Sequence, residues 1–287
     1  MRNYDEMMKL INDTAKANEK ILAAYLCGSR ANPADTVDNL SDYDVVYVVD
    51  EMPTLAKYMM DRDWFKVFGE PAIVQEPSSM YFGWAECGEV PDDYAWLMLF
   101  KDGTRIDLTM VTAECASFQA KKDRPIQVLF DEQGILKAEN LGKSNRHPIK
   151  KIEKALYKGC CNEFWWTMQN VAKGAARGQY PYAFEMLNTV TRLELEKMID
   201  WYVAIEHGFD VNLGKFNKYL ANYLDDWKYA EYLKTYSSAE PDEILAALIA
   251  ASNIFSKVAQ AVADEFGYEY NFEDENNVRA YCRGLLM

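Results

Sequence analysis

The stretch CGSRANPADTVDNLSDYDVVYVVD, residues 27–50, sets a Gly-Ser turn and a loop of turn formers ahead of two aspartates, Asp42 and Asp44, that open a β-branched run. The run YDVVYVV has the composition of a buried strand, so two carboxylates at its mouth need a reason. Positions i and i+2 of a strand point the same way. Asp42 and Asp44 then share one face, and Tyr43, Val45 and Tyr47 share the other. Like charges at that spacing repel unless something positive lies between them. A hard divalent cation such as Mg²⁺, which takes oxygen ligands and keeps water and substrate phosphates, suits the place. Taken alone, D-x-D reads first as an exposed strand end or an Asx turn with solvated aspartates. Gly28-Ser29 follows the apolar run ILAAYLC, where backbone N–H groups and a hydroxyl are available to phosphate oxygens.

The same polar face gains a third carboxylate further along. In WLMLFKDGTRIDLTMV (96–111), Asp102-Gly103 between two apolar runs signals a hairpin. Ile106, Leu108 and Met110 share one side of the second strand, and Arg105, Asp107 and Thr109 share the other. Asp107 therefore either joins the aspartate pair or lies on a solvated strand face. With a helix near 3–17 and strands near 20–27, 43–50, 71–76, 94–100 and 104–111, the first half reads as a mixed β-sheet flanked by helices. From about residue 150 the period changes to 3.6, with helices expected near 151–177, 182–206, 216–236 and 241–266. The fold class is α+β with a C-terminal helical bundle. The segment AENLGKSNRHPIKK (138–151) has the composition of a linker, dividing the chain into domains 1–145 and 146–287.

Composition narrows the chemistry. The chain has 287 residues, 49% of them hydrophobic, enough for one large core or two smaller ones. Against 31 Lys and Arg stand 45 Asp and Glu, a net charge of −14. That excludes the basic footprint of a nucleic-acid binder and suits a cationic small molecule or simple solubility. Six cysteines without a C-x-x-C pair, and two histidines, speak against a zinc centre and against Ser-His-Asp or Cys-His catalysis. Acid–base work falls to carboxylates, lysines or tyrosines. The opening MRNYDEMMKLINDTAK reads as an amphipathic helix, and the apolar run ILAALIAA (244–251) is too short to span a bilayer. A cytoplasmic monomer without membrane contact is expected.

In the helical half, Leu156, Glu163, Thr167 and Val171 fall on one stripe. Glu163 is thus expected to be partly buried and to need a partner: a guanidinium or ammonium of a ligand, or Lys173 or Arg177 within the chain. Glu194, beside Met198 and Trp201, invites the same reading. Trp165, Trp166, Trp201 and Tyr202 either stack on a guanidinium or an adenine or fill the core. Lys215 and Lys218 follow Gly214 on one expected helical face, where they meet β- and γ-phosphates or face solvent.

The order of apolar strand, G-S, D-x-D strand and later single-Asp strand resembles the nucleotidyltransferase superfamily related to DNA polymerase β. The stretches CGSRAN, SDYDVVYVV, WFKVFGEPAIVQEP, LFKDGTRIDLTMV, CCNEFWWTMQNVAKGAARGQYPYAFE, LELEKMIDWYVAIEHGF and NLGKFNKYL resemble, within it, the aminoglycoside 6-adenylyltransferases, or streptomycin adenylyltransferases. This similarity runs from residue 1 to about 270; it is weaker around MYFGWAECGEVPDD and after Asn271. It implies a nucleotidyltransferase domain followed by a substrate-binding helical domain, with a catalytic cleft between them. The implied reaction moves AMP from ATP to a hydroxyl of a cationic aminoglycoside, the 6-hydroxyl of the streptidine ring of streptomycin. Mg²⁺ is required, pyrophosphate leaves and resistance to the antibiotic follows. Asp42, Asp44 and Asp107 are the implied metal and catalytic residues, with Asp107 as general base. Gly28, Ser29, Arg30, Lys215 and Lys218 would hold the nucleotide, and Glu163, Trp166 and Glu194 the acceptor. The alternatives are another acceptor, either a different antibiotic or a protein, and a nucleotide-binding regulator without chemistry; three costly carboxylates on one face count against the latter.

Overall fold

The computed structural model describes residues 2–33, 35–79, 93–122, 125–136 and 149–286. Residues 80–92 and 137–148 lie outside the described residues, and with them Cys87, His147, most of the first region of weaker resemblance and most of the expected linker. The chain divides into two compact units, Met1–Arg146 and His147–Met287.

The first unit opens with helix α1 (Tyr4–Lys16). A capping box sets its start: Asn3 accepts from the Glu6 amide while the Glu6 carboxylate accepts from the Asn3 amide. Strands β1 (Ile21–Cys27), β2 (Tyr43–Val49), β3 (Pro71–Gln75), β4 (Asp93–Phe100), β5 (Arg105–Thr112) and β6 (Gln127–Asp131) form one sheet in the order β3-β4-β5-β2-β1-β6. The β2–β5 pair is parallel and the other neighbours are antiparallel. Helices α2 (Gly28–Ala31), α3 (Met52–Met60) and α4 (Ala113–Lys122) and a 3-10 turn at Trp64–Phe68 accompany the sheet.

Alternation along the central strands feeds two cores. Val45 and Tyr47 of β2 and Leu108 and Met110 of β5 pack with Met7 and Ile11 of α1 and Leu55 of α3. Val46, Val48 and Val111 face the other way, toward Ala116 and Ala120 of α4. A strand covered on both sides has no polar face to show, which explains the unbroken apolar run after Asp44. The Asp102-Gly103 turn joins β4 to β5 with Gly103 at φ 84. Sequence reading did not anticipate β6; it lies at the sheet edge with Gln127 and Val128 exposed, so it lacks a clean buried alternation.

The second unit is helical: α5 (Lys154–Ala176), α6 (Tyr180–Glu185), a π-turn over Met186–Thr191, α7 (Arg192–His207), α8 (Asp226–Leu233), α9 (Pro241–Phe266) and α10 (Phe272–Leu286). One expectation is corrected, and two features go beyond what was expected. The helix expected over 216–236 is broken into turns at Lys215–Asn217 and Leu220–Asn222 before α8, because Phe216 and Asn217 adopt φ of 55 and 56, a left-handed backbone that no α-helix accommodates. Helix α10 was not anticipated. The apolar run 244–251 belongs to a helix of 26 residues, long and apolar enough by length and composition to cross a membrane, although 56% of its most apolar window is buried within the protein.

Helix α5 packs on α10, and α7 packs on α9. At the centre Phe164 of α5 stacks on Phe255 of α9, ring centroids 3.7 Å apart, and neither ring reaches solvent. Phe164→Ala should therefore remove about 3–5 kcal/mol from this unit. Native-state amide exchange in α5 and α9 should speed up accordingly; unchanged protection there would contradict the packing.

Candidate active site

At the end of β1 the chain turns sharply at Gly28, whose φ is 66. Cys27 pairs with Asp44 across the β1–β2 ladder. The turn is so close to that strand that a Cβ on Gly28 would lie 1.9 Å from Oδ2 of Asp44 and 2.6 Å from its Cγ. Both the backbone conformation and the space exclude a side chain. The Gly-Ser pair is thus explained first by the seating of a carboxylate, with half-buried Ser29 next to it.

Parallel pairing sets Asp44 beside Asp107 in register. Arg105, two residues before Asp107 on the same face of β5, lies among the carboxylates. Its Nε and Nη2 donate to the two oxygens of Asp107 at 2.8 and 2.7 Å, and its Nη1 lies 3.3 Å from Oδ2 of Asp42. The Asp107 hydrogen bond is the largest of the influences raising the Arg105 pKa, with the charges of Asp107, Asp42 and Asp44 adding to it. Chemically the donor set is three carboxylates, the kind a hard divalent cation takes, and a guanidinium already stands in as the cation. Among the described residues no three acidic, imidazole or thiol groups converge to enclose a metal ion in this arrangement. The oxygens fit such an ion in chemistry, and Arg105 engages those of Asp107 and Asp42.

Arg30 is also committed. Its guanidinium donates to the carbonyls of Ser41 at 2.7 Å, Asp42 at 3.0 Å and Asp38 at 3.3 Å, and lies 4.0 Å from the centre of the Tyr43 ring. It therefore shapes the loop that delivers Asp42 to the strand mouth.

In the helical unit a cavity of about 670 Å³ is lined by Glu163, Glu194, Lys197, Asp200, Trp201 and Asn217 among others. Glu163 is exposed, which corrects the expected partial burial. The stripe is covered from Thr167 onward, where its hydroxyl meets that of Thr191, and lies open at Leu156 and Glu163. Among the described residues the Glu163 carboxylate pairs with neither Lys173 nor Arg177. Glu194 is the more buried of the two, 9% exposed, and accepts from Lys197 Nζ at 2.6 Å. Trp166 is 63% exposed and does not line the cavity, while buried Trp165 donates to the Tyr270 hydroxyl. Lys215 and Lys218 flank the broken turn; Lys218 folds over Gly214, where a Cβ would lie 2.7 Å from its Cγ.

Asp200 was missed. It faces the cavity one turn beyond Lys197, and Asn217 Nδ2 donates to its Oδ1 at 3.1 Å. Burial is the main cause that moves its pKa from 3.8 to about 7, with repulsion from Glu196 adding and the Asn217 hydrogen bond opposing. The spacing Glu194, Lys197, Asp200, Trp201 was the available signal. Cys160 also lines the cavity, but burial raises its thiol pKa and keeps it protonated.

A family model described as streptomycin adenylyltransferase matches residues 1–285, through both regions of weaker resemblance. The aminoglycoside 6-adenylyltransferase of Bacillus subtilis (strain 168) is 30% identical over 286 residues, covering 99% of this chain and 98% of that protein. That of Campylobacter jejuni is 28% identical over 275 residues, covering 96% and 93%, and that of Staphylococcus aureus 30% over 243 residues, covering 82% of each. Among solved structures, an aminoglycoside 6-adenyltransferase from Bacillus subtilis aligns over 100% of this chain and 99% of its own at 25% identity, with a TM-score of 0.48.

Asp200 gives the cavity a measurable signature. A carboxylate whose pKa is raised on folding stabilises the fold while protonated; that contribution is complete below 3.8 and is lost as pH rises through about 7. Asp200→Asn should therefore melt above the parent protein at about pH 8 and lose that advantage toward about pH 4. Charged groups on the same cavity wall, Glu163, Glu194, Lys197 and Lys150, remain in both proteins. A constant difference across the range would contradict the burial of Asp200.

Proposed function

Because the chain belongs to the streptomycin adenylyltransferase family, we propose that it transfers AMP from ATP to a hydroxyl of a cationic aminoglycoside. The acceptor we favour is the 6-hydroxyl of the streptidine ring of streptomycin, with release of pyrophosphate. The observation that carries this reading is the strand mouth, where Asp44 is seated on Gly28 and registered with Asp107, and Arg105 bridges Asp107 and Asp42.

In this reading Asp42, Asp44 and Asp107 hold Mg²⁺, which when bound neutralises phosphate charge and polarises the α-phosphate. Gly28 and Ser29 offer a backbone turn and a hydroxyl to the triphosphate, and Lys215 and Lys218 offer positive charge. Asp107 takes the proton of the acceptor hydroxyl as its oxygen attacks phosphorus. Glu163, Glu194 and Asp200 give the cavity of the helical unit an acidic lining suited to guanidinium or ammonium groups.

The direct test is incubation with ATP, Mg²⁺ and a panel of aminoglycosides including streptomycin, followed by mass spectrometry for an added AMP and an assay for pyrophosphate. Streptomycin carrying one AMP is the expected product. Unmodified aminoglycosides throughout would overturn the reading. Within the cavity, Glu194→Gln should raise the KM for streptomycin about tenfold, since a charged hydrogen bond is worth roughly 1.5–3 kcal/mol. Glu163→Gln should raise it less, because solvent screens an exposed carboxylate. Equal rises in the KM for ATP would contradict an acceptor role for both.

A further inference from the structure

The guanidinium of Arg105 occupies the carboxylate set that the proposed reading assigns to the metal. It holds both oxygens of Asp107 and lies within ion-pair distance of Asp42. The fork takes one lone pair on each oxygen of Asp107, and its positive charge repels a divalent cation brought to the same carboxylate, so guanidinium and metal compete for it. The placement follows from the strand itself, because residues i and i+2 project together and the R-I-D sequence points Arg105 at its own Asp107. The fork matches a carboxylate bidentately. Arg105 nevertheless has 45% of its side chain exposed, against 18% for Asp107. An ion pair so open to water is weak enough to exchange, and the long side chain has solvent into which to rotate.

We infer that Arg105 is a positioning residue that serves as a built-in counter-cation: it neutralises and orders Asp42 and Asp107 while the site holds no metal, and it gives way on Asp107 when a divalent cation takes up those carboxylates. Metal binding is then an exchange of one cation for another. The carboxylates are never left to repel one another, and the apparent affinity for the metal is lowered by the competition. Arg105 lines, with Arg2, Arg30 and Asp42, a small cavity at the strand mouth. The inference rests on the reading that these carboxylates hold the divalent cation; it does not depend on the acceptor.

The experiment measures Mn²⁺ binding by electron paramagnetic resonance, with neither ATP nor aminoglycoside present, for the parent protein, Arg105→Gln and Arg105→Lys. Removing the competitor should tighten Mn²⁺ binding about tenfold in Arg105→Gln, and by less in Arg105→Lys, which keeps the charge but loses the fork. Melting temperatures provide the second readout. Metal-free Arg105→Gln should melt below the parent, and its rise on adding Mn²⁺ should be the larger of the two. A merely structural arginine would give equal or weaker Mn²⁺ binding on removal, and that result overturns the inference. Absence of Mn²⁺ binding from all three proteins would overturn it as well. If Arg105→Gln fails to fold, Arg105→Lys decides alone: binding tighter than the parent's supports the exchange, and unchanged or weaker binding overturns it. A protein that binds Mn²⁺ in the expected order yet adenylylates no aminoglycoside would sink the proposed acceptor and support the role of Arg105.

Discussion

The first unit is organised around the contact between the Cα of Gly28 and the carboxylate of Asp44. With 1.9 Å between a hypothetical Cβ and Oδ2, the chain has no room for any other residue after β1. That contact fixes where the turn runs and which way the first strand carboxylate points. Parallel pairing then carries the constraint to β5, where Asp107 stands in register with Asp44. The apolar halves of both strands are buried on two faces, so the sheet holds the polar edge rigid. Burial supplies the stability, and the charged edge draws on it, because like charges brought together destabilise a fold unless a cation compensates.

Much of this was legible from residue types. A strand period of two places Asp44, Asp107 and Arg105 on one polar side, and the Gly-Ser step marks a close backbone approach. The sequence also shows the change of period near residue 150. Alternation does not show which strands are neighbours, so the registration of Asp44 with Asp107 and the bidentate grip of Arg105 emerge only with the sheet assembled. Nor does the local sequence of Arg30 show that its guanidinium lies on three carbonyls of the loop that follows it and over the Tyr43 ring.

The helical unit was read less well, for two physical reasons. Helical periodicity continues through 216–236 in the side chains, while the backbone at Phe216 and Asn217 is left-handed and breaks the helix. Burial of an acid is decided by tertiary covering that the local pattern does not contain. Among the described residues no element covers the stripe at Glu163, whereas Asn217 and the surrounding wall close over Asp200. The acidic cavity was therefore anticipated in kind, with Glu163 and Glu194 on its wall, but its most perturbed carboxylate was not.

The central claim is that the carboxylates at the strand mouth perform the transfer. It is tested most directly by measuring AMP transfer from ATP to streptomycin by the parent protein and by Asp44→Asn, which keeps the shape of the side chain and removes its charge. The account predicts transfer by the parent and none above background by the variant, with the circular dichroism and melting of the sheet retained. Turnover by a folded Asp44→Asn at close to the parental rate in Mg²⁺ would contradict it.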